Sequence, residues 1–468
     1  MNLTNNNFRK LFSHSSLVIF SFAKFFPVIF SIIICQSLTV AQSLDSLVGE
    51  ALKNNPQLKA LQFKIKASGF NTESINNYPA PNASLEFSQV PVLNPFFPTQ
   101  ALSINLGFSQ MFPLGGKLGA MAEVAKTNTK LEMSSYDEYK VELTGKVKMS
   151  YFSLWLIDRK IAVQTQSISF LSDLIKSMET ALSTNRINQV DLLSIKSEIA
   201  STETQLLILG KQREIENYRL NKLLGHDLDS LAIYKTEEIT SVDLRIDQPF
   251  LENLLADLNP TLKKMEGMIE MKRAMIDAND REMIPDLMLQ GMFMVMPKGM
   301  ILTSQSDLSM LDSRVEFMYS LMVSINLPFV PWSINKYKAK SQELASGISS
   351  IEYERANMQG EMRVKLREAT VKYFTAKELL KLYNEKLFPL YKLTVDSQIS
   401  AYQNNRSTIS AVIDSYRMLL MVQMNYYMAV ADTRMSLAEM EMMVGGKLTD
   451  ILLIDEQNKN QDDKDGKK

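Results

Sequence analysis

Polar and apolar positions alternate one by one in four short stretches of the chain, and each pair of stretches leads into a helical pattern of unusual length. Over Asn82 to Val90, Ala83, Leu85 and Phe87 point one way and Ser84, Glu86 and Ser88 the other. Over Leu102 to Ser109, Leu102, Ile104, Leu106 and Phe108 oppose Ser103, Asn105, Gly107 and Ser109. A period of two predicts strands with one apolar and one polar face. Leu287 to Met296 and Val315 to Leu327 read as a second strand pair. After the first pair, no proline interrupts Gly116 to Ser183, and Ile168, Leu171, Ile175, Met178 and Leu182 recur at heptad spacing. This predicts one helix of about 68 residues, roughly 100 Å long. Shorter helices are predicted over Ser43–Asn76, before the strands, and Val190–Leu224, after the long helix. Together the two are about as long as the long one, so they could lie end to end beside it.

The second half repeats this plan. Asn55-Pro56 returns as Asn259-Pro260, Pro81-Asn82 as Pro285-Asp286, Asn185-Arg186 as Asn405-Arg406, and Leu224-Gly225 as Val444-Gly445. The spacing between equivalents grows from about 204 to about 220 residues, the mark of a duplication with small insertions. The second repeat should hold helices over 250–282, 335–401 and 409–444. The organisation reads as a leader over 1–41, a first repeat over 42–226, a linker over 227–249, a second repeat over 250–446 and a charged tail over 447–468. The tail lacks an apolar pattern and is expected to be disordered.

Composition narrows the function classes. A net charge of −1 over 468 residues gives no footprint for nucleic acid. There are only 2 histidines and 1 cysteine, and no arrangement of residues suggests an enzyme or a high-affinity metal site. Arg9 and Lys10, the apolar run Phe25–Ile34 and Thr39-Val40-Ala41 read as a secretory signal cleaved before Gln42. An uncleaved anchor, or lipid attachment at Cys35, are the alternatives. No later stretch suits a transmembrane helix. Four strands cannot close a barrel alone, and an open edge cannot sit in lipid, so a membrane reading requires several chains each lending four strands. A soluble sheet packed on helices would show the same alternation; a coiled-coil surface scaffold, the other alternative, would not need two-faced strand pairs opening each repeat.

In their order and spacing, these features resemble the TolC-like outer-membrane efflux family across essentially the whole mature chain. The resemblance includes the Asn-Pro pairs and the strand-to-helix junctions Phe112-Pro113-Leu114-Gly115-Gly116-Lys117 and Leu327-Pro328-Phe329-Val330-Pro331-Trp332. It also includes the turn Tyr402-Gln403-Asn404-Asn405-Arg406-Ser407-Thr408-Ile409. It implies an α+β membrane protein, a homotrimer whose twelve-stranded barrel in outer-membrane lipid continues into a periplasmic α-helical barrel. It further implies an exit duct without enzymatic activity or cofactor, working with a periplasmic adaptor and an inner-membrane pump of a Gram-negative bacterium. Asn185, Arg186, Ile187, Asn405, Arg406 and Ser407 would form the adaptor-contacting tips. The family usually has glycine where Asn185 and Asn405 stand, and asparagine tolerates the same positive φ. Tyr402, Asp414 and Asp191 match the family's periplasmic gate, while Ala411 replaces a further aspartate of its best-known members. A general drug duct, a type I protein-secretion duct and heavy-metal cation export are all open as cargo readings.

Methionine bears on the cargo. The chain has 29, and they crowd the second strand pair. By parity Met288, Met292, Met294, Met296, Met318 and Met322 fall on the face that carries Ser84, Glu86 and Ser88 in the first repeat, which would line the duct. Thioethers are soft ligands for Cu(I) and Ag(I). Methionine also fills gaps in cores, and the heptad stripe Met421, Met424, Met428, Met435 and Met442 is read as packing.

Overall fold

A computed structural model of the chain describes residues 43–88, 90, 103–182, 189–227, 234–239, 247–296 and 315–448. The expected leader with Cys35, and residues 449–468 of the expected tail, lie outside the described residues. The first repeat contains α1 (Leu44–Asn54), α2 (Pro56–Ile75), β1 (Asn82–Ser88), β2 (Ser103–Phe112), α3 (Lys117–Leu182) and α4 (Gln189–Leu224). The second contains α5 (Gln248–Leu258), α6 (Pro260–Arg281), β3 (Leu287–Met296), β4 (Glu316–Ile325), α7 (Pro331–Leu382), α8 (Phe388–Gln403) and α9 (Ile409–Val444).

Two sequence expectations need correction. The opening helix of each repeat is two helices, broken at Asn55 and Asn259. Each asparagine has an extended-type ψ near 120°, imposed by the proline that follows it. Its side chain then caps the next helix: Asn55 Oδ1 accepts from Gln57 N and Leu58 N, and Asn259 Oδ1 accepts from Leu262 N. The amide end of each reaches across the fold. Asn55 Nδ2 donates to Leu223 O at 3.0 Å, and Asn259 Nδ2 donates to Met443 O at 2.6 Å. One side chain thus serves the start of one helix and the end of another. Those ends close on Gly225 (φ 77°) and Gly445 (φ 88°). A Cβ at either would press on backbone of the facing break, 2.7 Å from Asn54 O or 3.0 Å from Leu258 O.

The second long helix is also not continuous. It begins at Pro331, and a π turn over Tyr383–Leu387 joins α7 to α8. Pro389 has no N–H to give to the carbonyl four residues back, and its ring crowds that carbonyl. The wider turn, in which Phe388 N donates to Tyr383 O, accommodates it without ending the helix.

The strands form one antiparallel sheet in the order β1-β2-β3-β4. The helices pack in the same lateral order: α2 on α3, α3 on α6, α6 on α7. Toward the other end of α3, α4 and α9 flank it, with α7 and α8 beyond α9. Each strand therefore runs into the helix that occupies its own place in the layer. Where sheet meets helix, Lys117 is 3% exposed and faces Asp286 at 2.7 Å and Glu282 at 3.5 Å. These ion contacts tie the first repeat's junction to the second repeat's.

The core repeats as well. Leu47, Ala51, Leu58, Leu220 and Leu224 gather where α1, α2 and α4 meet on α3. Leu251, Leu255, Leu262, Met440 and Val444 gather where α5, α6 and α9 meet on α7. The linker is pinned beside the first cluster. His226 Nε2 lies 2.7 Å from Glu50 Oε1, its Nδ1 lies 3.0 Å from Tyr234 Oη, and Tyr234 Oη donates to Asn221 Oδ1 at 2.6 Å. His226, the one histidine among the described residues, is a structural staple.

The double duty of the capping asparagines is testable by substitution. Asn55→Ala or Asn259→Ala removes a cap worth about 1 kcal/mol together with the cross-fold bond. Both should lower the urea midpoint. Asn→Ser at the same sites keeps a capping oxygen and loses the amide that crosses the fold, so its midpoint should fall between alanine and wild type. Serine variants as weak as the alanine ones would show that capping contributes nothing.

Candidate functional site

Two regions could carry function: the faces of the sheet and the tips of the long helices. The register settles which strand residues share a face. Ser84 faces Gly107, which faces Met292, which faces Ser320. In the next row Glu86, Asn105, Met294 and Met318 stand side by side. Met288 faces Ser324, Gln290 faces Met322, and Met296 faces Glu316. All six methionines picked out by parity therefore share one face with the serines and asparagines of the first repeat. Met111 joins them, directly opposite Met288, a neighbour the alternation over Leu102 to Ser109 stopped short of finding.

The opposite face is apolar and bare. Tyr319 and Leu321 are each 81% exposed, and Phe317, Val323, Leu85, Leu106 and Phe108 are also exposed. Leaving such a surface in water would forfeit the burial free energy of every one of these side chains, and a patch of this kind marks a contact with lipid or protein. No helix among the described residues is long and apolar enough to cross a membrane.

At the far end of the helices, α8 closes on Asn405, the one non-glycine residue with positive φ (56°) among the described residues. Arg406 N donates to Ala401 O and Asn405 N to Tyr402 O, the paired bonds of a left-handed helix stop. Asparagine does here what glycine would do, and Arg406 stands exposed beside it. Ser407 is tied back to the helix, its Oγ donating to Gln398 Oε1 at 2.7 Å. Thr408 then caps α9 by accepting from Ala411 N. Asn185, Arg186 and Ile187, the expected first tip, lie outside the described residues.

The expected gate residues are only partly brought together. Tyr402 Oη donates to Asp191 Oδ2 at 3.3 Å, joining the end of α8 to the first turn of α4. Burial, and then the neighbouring Asp191 charge, push the Tyr402 phenol up to about 12, so the bond keeps its proton throughout the physiological range. That stabilisation is complete below the phenol's ordinary value of about 10 and is lost only as pH climbs through about 12. Asp414 is not part of this link. It is exposed and accepts from Arg417 Nη1 at 3.2 Å, one turn along α9. Arg417 also grips Glu198 of α4 with Nε and Nη2, a two-pronged bridge between the repeats. Sequence reasoning missed Glu198 and Arg417. Only the local Asp414–Arg417 spacing was visible, because Glu198 belongs to the other repeat.

Above this bridge α4, α3 and α9 leave an open groove of about 510 Å³ lined by Met421, Met424 and Met428. Met421 and Met428 are exposed there rather than packed within the chain as expected, and Met424 is half-buried. Met435 does pack, against the clusters around Trp155 and Tyr151. Among the described residues, no group of three or more His, Cys, Asp or Glu side chains could hold a metal ion.

Comparison with known proteins agrees with this geometry. Residues 47–226 match the family "Outer membrane efflux protein". "Probable outer membrane lipoprotein SilC" of Salmonella typhimurium is 24% identical over 320 residues, 67% of this chain and 67% of that protein. "Toxin and drug export protein A" of Aggregatibacter actinomycetemcomitans is 20% identical over 383 residues, 76% and 78% of the two chains. Among solved structures, CusC superposes with a TM-score of 0.70 at 18% identity, over 88% of this chain and 94% of that one. The sheet with its two faces, the tandem helical layer and these likenesses agree: residues 47–226 match the outer membrane efflux family, and the chain as a whole shares the fold of solved outer-membrane channels.

Proposed function

We propose that three copies of the chain form the exit duct of a tripartite efflux system. The observation that carries this reading is that sheet and helical layer are each four elements wide, in the same order, and open at both edges. β1 and β4 lack partners along their outer edges among the described residues. The flanking helices expose apolar side chains, Phe63, Phe70 and Leu207 on one side, Tyr353, Val371 and Leu393 on the other. The two edges differ, so copies meet head to tail, and a head-to-tail contact yields a closed ring when its rotation closes. Closing at three gives a twelve-stranded barrel, with the bare face of Tyr319 and Leu321 toward lipid and the serine–methionine face toward the bore. The helices continue each strand as the wall of a second barrel reaching into the periplasm. Its tip around Arg406 meets the adaptor, and the inner-membrane pump supplies the energy. The Tyr402–Asp191 bond and the Arg417–Glu198 bridge hold that end narrow.

Ring closure has a direct test. Cysteine pairs placed on the two outer strands, Ser84→Cys or Glu86→Cys with Ser320→Cys or Met322→Cys, should include one within disulfide reach across the seam. That pair gives a covalent trimer on oxidation, and each single variant gives none. Monomers throughout, in membranes holding normal amounts of the protein, would refute the ring. For the gate, Tyr402→Phe combined with Asp191→Asn should increase entry of large antibiotics while leaving trimer levels unchanged. Unaltered sensitivity would remove both residues from the closure.

Two cargo readings have support. The methionine face favours soft metal cations, and the likeness to a toxin and drug export protein favours organic molecules. A deletion strain should become sensitive to silver and copper on the first reading, and to dyes and detergents on the second.

A further inference from the structure

We propose that the bore-facing methionines form discrete two-thioether contacts for soft monovalent cations, Cu(I) or Ag(I), on the wall of the β-barrel. The inference rests on the reading that this face lines the duct. Directly opposed residues in an antiparallel pair have Cβ atoms about 5 Å apart. Two flexible thioethers so placed can converge on one ion. The register supplies two such pairs: Met111 with Met288, and Met294 with Met318. Met322 stands diagonal to Met288 and Met292, spanning the interval between the pairs. A run of soft donors therefore follows the strand direction from the helix end of the sheet toward its outer end.

Packing does not account for this placement. On the opposite face the same two strands carry Leu289, Phe293, Val295, Phe317, Leu321 and Val323, so branched and aromatic residues were available where an apolar surface is wanted. The methionines instead share their face with Ser320, Ser324 and Gln290. Met111, Met318 and Met322 are exposed rather than buried. Two neutral thioethers make a weak site that releases its ion, which suits passage rather than storage. The first repeat's half of the wall carries hydroxyl and amide groups at the equivalent positions.

The test uses full-length protein in lipid vesicles, in chloride-free buffer, with Ag⁺ as the probe. Hydrogen peroxide converts accessible thioethers to sulfoxides, and mass spectrometry of peptides reads each methionine separately. Ag⁺, but not K⁺, should slow oxidation at Met111, Met288, Met294 and Met318 by roughly tenfold, the effect of about nine-tenths occupancy. It should leave Met133, an exposed lone methionine on α3, nearly unchanged. Met318→Leu conserves volume and should abolish protection of Met294 while protection of Met111 and Met288 persists. Equal oxidation of all four with and without Ag⁺ overturns the inference and leaves the duct reading standing. Resistance of all four to peroxide without Ag⁺, while Met133 oxidises, means that the face is not wet. The duct reading then falls, and the inference with it.

Discussion

An unpaired strand edge is a row of backbone donors and acceptors, and hydrocarbon offers them nothing. That constraint governs the molecule. In the duct proposed above, a chain with four strands, an apolar face as bare as that around Tyr319, and edges at β1 and β4 that are open among the described residues finds its missing hydrogen bonds in other chains. Everything else in the fold keeps those edges in register with the rest of the wall. The helical layer has the same width and the same lateral order as the sheet, so closing one closes the other. Lys117, set between Asp286 and Glu282, ties the two sheet-to-helix junctions together.

The two asparagine-proline breaks make the helical layer possible. The break at Asn55 lets α1 fold onto the cluster with Leu220 and Leu224, while α2 continues toward the strands. The cap, the proline and the glycine that receives them form one device, used once per repeat. The left-handed glycine and the capping asparagine lie far apart in sequence but touch in the fold.

Much of this was legible in the amino-acid order, because periodicity reports directly on faces. Alternation over Leu287–Met296 assigned every methionine of that strand to the face the register confirms. The length of α3 followed from the absence of proline. The breaks at Asn55 and Asn259 were visible as motifs but misjudged in effect, because the helical apolar pattern resumes on both sides of each. The π turn was hidden for the same reason, with Pro389 sitting inside an otherwise unbroken pattern. At the tips, Tyr402–Asp191 could be named from the resemblance, whereas Glu198–Arg417 joins residues of different repeats that no local spacing connects. The methionine stripe on α9 misled because a heptad records which residues share a side, not whether a neighbour covers it.

The tandem construction has an evolutionary side. A ring of six single-repeat chains would have identical staves all round, and any residue useful at one position would be imposed on all six. Fusing two repeats into one chain frees alternate staves to diverge. Serine, asparagine and Glu86 dominate this face on β1 and β2, where Met111 is the exception, while thioethers share it on β3 and β4 with Gln290, Glu316, Ser320 and Ser324. In the proposed trimer the bore would be striped rather than uniform: three mostly polar staves would alternate with three richer in soft, polarizable side chains, so one passage would offer two kinds of surface to whatever moves along it.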